Sequence, residues 1–246
     1  MIARRAQIRC LHNFGVLGIA LTVSVPQGEA ALEEISASAV VAYESEYVYR
    51  GQKLAGQSVQ PSLELGHPLG QGDLFIGAWA SYELRSDPFE EERFYAGYQQ
   101  SLSPIFSVTG GFTYYWLPDG ESVPANQEEP FLGLTADLPF SPSIFAYYNF
   151  ALDQTLLELS LRESYTLLDS VSLETAILLG AAHGEITQNG NQESKQKFSG
   201  LAVAYADLAF DITDEAIAFI GLRYSASESG DFSDFFWWGG SIVIWF

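Results

Sequence analysis

The stretch that most constrains the fold is the last one, residues 236–246, which reads Phe-Trp-Trp-Gly-Gly-Ser-Ile-Val-Ile-Trp-Phe. Laid out as a strand, Phe236, Trp238, Ile242, Ile244 and Phe246 share one face. Gly239, Ser241 and Val243 share the other, with Trp237 and Trp245 near the two ends. A period of two is the strand period. A strand this apolar at the edge of a soluble sheet would template aggregation. The conflict disappears if one face meets lipid and the strand closes a barrel, because closure leaves no edge and pairs every backbone group internally. The expectation is therefore an all-β chain folded as a transmembrane antiparallel up-and-down β-barrel, closed by this strand.

The rest of the chain carries the same period. Strands are expected over residues 37–50, 58–65, 74–84, 94–99, 106–116, 131–138, 144–150, 157–165, 171–182, 198–210, 216–224 and 236–246. The fifth alternates most cleanly: Phe106, Val108, Phe112, Tyr114 and Trp116 against Ser107, Thr109, Gly111, Thr113 and Tyr115. The total is about twelve, an even number, as in single-chain bacterial barrels. Connections alternate in length. Turns near His67, Pro104, Pro139, Asp169 and Asp211 are short, whereas 51–57, 85–92, 118–129, 183–197 and 225–234 are long and polar; Asp153-Gln154 alone breaks the rule. Short turns on one side and long loops on the other are the barrel pattern, and a soluble β-sandwich gives no such alternation. Aromatic groups near strand ends (Tyr47/Tyr49, Tyr114/Trp116, Tyr147/Tyr148 and Trp237/Trp238) are expected to form interfacial girdles.

The amino end reads differently. Arg4, Arg5 and Arg9 precede an apolar run, 14–25, and small residues follow at Ala30 and Ala31. Basic, apolar, then small is the order of a secretory signal peptide, and the run is too short to span a bilayer as a helix. Residues 1–30 are expected to be cleaved, leaving a single barrel domain over 31–246. The one cysteine, Cys10, falls before the apolar run, so neither a lipoprotein anchor nor a disulfide in the mature chain is expected. Eleven Lys+Arg against 31 Asp+Glu give a formal charge of −20, which argues against nucleic acid, since little is present to neutralise phosphates.

The terminal Phe246 resembles the terminal-aromatic signature of bacterial outer-membrane barrels, where that residue is part of the signal read by the barrel-assembly machinery. Several further stretches resemble the TorF-type putative porins, small proteobacterial barrels of undefined role. They are Tyr47-Val48-Tyr49-Arg50-Gly51, Phe94-Tyr95-Ala96-Gly97-Tyr98, Tyr114-Tyr115-Trp116-Leu117-Pro118, Ser141-Pro142-Ser143 before Tyr147-Tyr148, and Leu157-Glu158-Leu159-Ser160-Leu161. Tyr49 stands where the family's Tyr-x-Phe-Arg-Gly has Phe. The resemblance implies a barrel in the bacterial outer membrane, among its lipids and lipopolysaccharide, and a diffusion channel for small solutes or ions.

If the apolar faces meet lipid, the opposite faces place Glu44, Glu46, Arg50, Glu64, Glu158, Arg162, Glu174 and Arg223 inside, as pore-lining candidates. Buried charges must be paired or hydrated. Either they line a water-filled pore of weak selectivity, or they pair into a network that plugs a structural barrel. A lipid-modifying enzyme is the third reading. It has little support: His67 and His183 are the only histidines after the leader, no Gly-x-Ser-x-Gly elbow accompanies them, and no metal or cofactor motif appears. No catalytic, cofactor-binding or metal residue is expected.

Overall fold

The computed structural model describes residues 10–11, 20–21, 35–85, 90–118, 124–185, 196–227 and 234–246. The expected leader, 1–30, lies outside them apart from one pairing of Cys10–Leu11 with Ala20–Leu21. Twelve strands form the barrel. They are β1 (Ser36–Glu44), β2 (Ser58–Leu69), β3 (Gly72–Glu83), β4 (Glu90–Ser101), β5 (Phe106–Trp116), β6 (Asn126–Ala136), β7 (Ser143–Asn149), β8 (Gln154–Leu168), β9 (Val171–Glu185), β10 (Gln196–Thr213), β11 (Ala216–Ser227) and β12 (Phe235–Trp245). Each pairs antiparallel with its sequence neighbours. The circle closes where β12 meets β1, with Ile242 opposite Val41 and Gly240 opposite Tyr43.

The pleat sorts the side chains. Val41, Leu63, Leu132, Leu157, Ile177 and Leu222 point outward and are largely exposed, a belt that only an apolar surrounding satisfies. Trp116, Tyr148 and Trp238 ring the belt at the long-loop end; Phe106, Phe140, Phe210 and Phe246 ring it at the end carrying β1's start and β12's finish. The inner face is closely packed. Phe75, Tyr95, Phe131, Tyr147 and Leu156 form one internal apolar cluster, and Val40, Ala209, Phe219 and Val243 form another. Rings lie flat against the wall because small residues make room: the Phe131 ring occupies the space that a Cβ on Gly111, its cross-strand partner, would take.

Four sequence expectations need correcting. The first strand does not run over 37–50. It stops at Glu44, the chain bends at Ser45 and Glu46, and Tyr47–Tyr49 pairs with Gln52–Ala55 in a separate two-stranded hairpin. Tyr47 and Tyr49 thus leave the expected girdle; Tyr47 and Tyr147 are buried in the barrel at 2% exposure, and Trp237 also points inward. Period two persists through the bend, so alternation alone does not register it. The polar segments 85–92, 118–129 and 183–197 are shorter as loops than expected, because β4 starts at Glu90, β6 at Asn126, and β9 continues to Glu185. At the starts of β4 and β6 the inward positions (Glu91, Arg93, Gln127 and Glu129) are themselves polar, and at the end of β9 they are the small Ala182 and Gly184; either way the hydrophobic contrast that marks a strand is lost. Likewise β2 extends to Leu69, beyond His67-Pro68, and only Gly70-Gln71 turn the chain.

Candidate functional site: a hairpin across the barrel interior

The hairpin Tyr47–Ala55 folds into the barrel from the long-loop end. Its turn has positive φ at both central residues, 49° at Arg50 and 73° at Gly51, with Tyr49 opposite Gln52. This is the two-residue turn whose twist matches a hairpin, and it normally selects Asn-Gly or Gly-Gly. Arginine at the first position costs about 1 kcal/mol of left-handed strain. The cost is offset at the side chain, because Arg50 Nη1 and Nη2 donate to Glu129 Oε2 and Oε1 on β6 at 2.8 and 2.7 Å. Glu129 is fully buried. A bidentate guanidinium–carboxylate pair is among the stronger polar contacts in proteins.

The hairpin reaches walls all round the interior. Tyr47 Oη donates to Glu91 Oε2 on β4 at 2.7 Å, and Arg93 donates both to Tyr47 Oη, at 2.7 Å, and to Glu91 Oε1, at 2.5 Å. The Arg93 guanidinium lies over the rings of Tyr49 (4.2 Å) and Trp79 (4.3 Å), inside cation–π range. Tyr49 and Tyr115 share a hydroxyl–hydroxyl bond at 2.9 Å, and Tyr115 donates onward to Glu129 at 2.8 Å. Across the barrel, Ser225 Oγ on β11 donates to the Gly51 carbonyl at 2.7 Å. Val48 packs with Leu178, Val203 and Trp237.

Further charges lie on the inner wall. Arg223 sits between Glu44 and Asp207, at 3.3 and 3.2 Å, with all three buried. Glu64 accepts from Tyr95 at 3.1 Å, and Glu174 accepts from Ser164 and Ser172 at 2.7 and 2.6 Å. Glu158 is buried, one pleat repeat above Ser160, which bonds Ser143; Arg162 follows on the same face of β8. Of the residues singled out by sequence, Glu44, Glu64, Glu158, Arg162, Glu174 and Arg223 therefore face the interior from the wall, and Arg50 reaches it from the hairpin. Glu46 differs: it stays at the rim, paired with Lys53 across the hairpin base at 2.5 Å. Glu91, Arg93, Glu129 and Asp207 were not singled out. The first three lie in segments that read as loop or at its margin, and Asp207 sits in an alanine-rich strand with weak alternation.

His183 is exposed at the long-loop end of β9, and His67 lies on β2 near the opposite end. Among the described residues no group of His, Cys, Asp or Glu is arranged to hold a metal ion.

The sequence profile of Gcw_chp, described as a bacterial protein of unknown function, matches residues 29–229. The chain belongs to the Gcw_chp family. No curated protein sequence matches it. In structure this Gcw_chp protein is similar to the KdgM porin, with a TM-score of 0.51 at 11% identity over 85% of this chain and 98% of that one. It is similar to the NanC porin to the same degree, 0.51 at 9% identity over 86% and 99%. Both likenesses are of fold: a closed barrel of porin type, here with a hairpin crossing its interior.

Proposed function

We propose that the protein is an outer-membrane, porin-like channel for passive diffusion of small hydrophilic solutes or ions, narrowed by the Tyr47–Ala55 hairpin and weakly selective for cations. The observation that carries this reading is the charge inside a closed barrel with an apolar outside. Arg50, Arg93, Arg162 and Arg223 are outnumbered by Glu44, Glu64, Glu91, Glu129, Glu158, Glu174 and Asp207. A core meant only to be solid is cheaper to build from hydrocarbon, since buried ion pairs rarely outperform it. Charged rings facing a lumen are how pores choose ions. The TorF-type resemblance of Tyr47-Val48-Tyr49-Arg50-Gly51 supports the same reading. In this orientation the long loops face the outside, the short turns face the periplasm, residues 1–30 are the cleaved leader, and Phe246 serves the assembly machinery.

The second reading is a plugged structural barrel. It is favoured by the complete burial of Glu129 and the near-complete burial of Arg223. Catalysis has no comparable support.

Osmotic swelling of liposomes carrying the refolded mature chain separates the two. Swelling in small sugars and amino acids, faster for cationic than for anionic solutes of equal size, is the expected result. No swelling from protein whose heat-modifiable gel mobility shows it folded would favour the plugged barrel.

A further inference from the structure

We infer that the Tyr47–Ala55 hairpin is a displaceable gate, held shut by an Arg50–Glu129 latch, rather than a fixed part of the wall. This rests on the channel reading above and adds what controls the opening.

The hairpin's own backbone ladder is separate from the barrel's. Removing it from the lumen breaks no strand pairing of the wall. Its two ends are anchored where the barrel stays intact: Ser45 N donates to the Trp238 carbonyl at 2.8 Å, and Leu84 N donates to the Gln57 carbonyl at 2.8 Å. Between those points Tyr47 N bonds the Gly56 carbonyl, closing the hairpin base, so the segment is able to swing as a unit. Besides the packing of Val48 against Leu178, Val203 and Trp237, of Tyr49 against the cluster around Phe131 and Tyr147, and of Tyr47 against Trp79, what holds it inward is polar: Arg50 on Glu129, Tyr47 on Glu91, Tyr49 on Tyr115, and the Gly51 carbonyl on Ser225. These groups regain water when the hairpin leaves, so much of what opening breaks is returned by hydration. The positive φ of Arg50 belongs to the hairpin's own turn and travels with it, so undocking leaves the hairpin's geometry intact. An apolar plug lacks this balance. A polar latch on a self-contained hairpin gives two states close in free energy, as a gate requires.

The gate also explains why Glu91, Glu129 and Arg223 are so deeply covered in a barrel read as a pore. The first two meet the hairpin directly, and Arg223 lies two residues below Ser225, which holds the hairpin tip. The hairpin covers charges that the open state presents to solutes.

The geometry supplies its own lock. A Cβ on Gly51 would lie 3.1 Å from Ser225 Oγ, within disulfide reach, and the only native cysteine is Cys10 in the expected leader. Three forms of the mature protein should be recorded in planar bilayers, each shown folded by heat-modifiable mobility: Gly51→Cys/Ser225→Cys with and without dithiothreitol, Glu129→Gln, and a chain with 47–55 replaced by a short Gly-Ser linker. The gate predicts that the oxidised double variant loses its conducting steps and regains them on reduction. It predicts that Glu129→Gln spends at least tenfold longer open, and that the linker form conducts continuously in larger steps. Equal conductance from oxidised and reduced forms overturns the gate but leaves the channel standing. Silence from the linker form overturns the channel itself. If the cysteine pair fails to fold, Glu129→Gln decides alone: an open time equal to wild type removes the latch.

Discussion

Arg50 and Glu129, 79 residues apart in sequence, meet through two hydrogen bonds of 2.8 and 2.7 Å inside the barrel. One comes from the strained tip of a hairpin and the other from a strand of the wall. The pair ties the end of a segment that reads as strand to one that reads as loop, and it joins the hairpin tip to the wall.

Removing the charge on one side should free the hairpin without unfolding the barrel. Hydrogen bonds to charged groups contribute about 1.5–3 kcal/mol. Glu129→Gln should therefore lower the cost of local opening by about 2 kcal/mol, or about thirtyfold in the open fraction. Limited trypsin digestion in detergent micelles measures this, because Arg50 and Lys53 lie on the hairpin. Cleavage there should quicken by at least tenfold while the urea midpoint of the barrel barely moves. An unchanged cleavage rate would mean the pair does not hold the hairpin.

Gly51 is the second hold on the tip. Alanine there costs about 1 kcal/mol for the left-handed backbone, and its Cβ would press on Ser225 Oγ at 3.1 Å and Leu201 Cβ at 3.3 Å. Gly51→Ala should speed trypsin cleavage several-fold. Ser225→Ala loses the bond to the Gly51 carbonyl but relieves the contact, so the double variant should cost less than the two singles added. Strict additivity in the cleavage rates would show that the two sites do not touch.

The outward belt makes an independent prediction. Ile220 lies on the exposed face of β11, midway along the strand. Arginine at the bilayer midplane of such barrels costs about 2–4 kcal/mol, falling towards zero near the interfaces. Ile220→Arg should lower the unfolding free energy in phospholipid vesicles by that amount. A change within about 0.5 kcal/mol, as for an ordinary solvated surface site, would contradict a lipid-facing belt.

Much of this fold was legible in the sequence, for one reason. Wherever the outward face is apolar and the inward face polar, as in Phe106–Trp116, the period of two names the strand and assigns its faces. The short-turn, long-loop alternation then fixes the up-and-down order. Legibility fails where the contrast fails. Glu90–Arg93 and Asn126–Glu129 are polar on both faces, because one meets the aqueous rim and the other the charged interior. Tyr47–Tyr49 fails in the opposite way: its alternation is real but belongs to another sheet. Gly51 alone was a partial signal there, since the two-residue hairpin turn favours glycine at its second central position, but Arg50 at the first position, where asparagine or glycine is usual, hides it. Nothing in the sequence says that this hairpin turns inward. That depends on Glu129 and Ser225, which only the closed barrel brings beneath it.

The charge balance of the interior predicts a sign. Glu64→Gln and Glu158→Gln each remove a carboxylate from the inner wall and should shift the reversal potential in a salt gradient towards zero. Arg162→Gln should shift it the other way. Shifts of one sign from all three variants would mean that they act through structure and not through the field in the lumen.

The most direct test of the central claim is the current carried by the folded, refolded wild-type chain in a planar bilayer across a potassium chloride gradient. Discrete, reproducible steps whose reversal potential has the cation-selective sign are expected, with long closed intervals set by the hairpin. Protein that is folded by its gel mobility yet passes no steps, or passes them with anion selectivity, would contradict a gated, acid-lined pore.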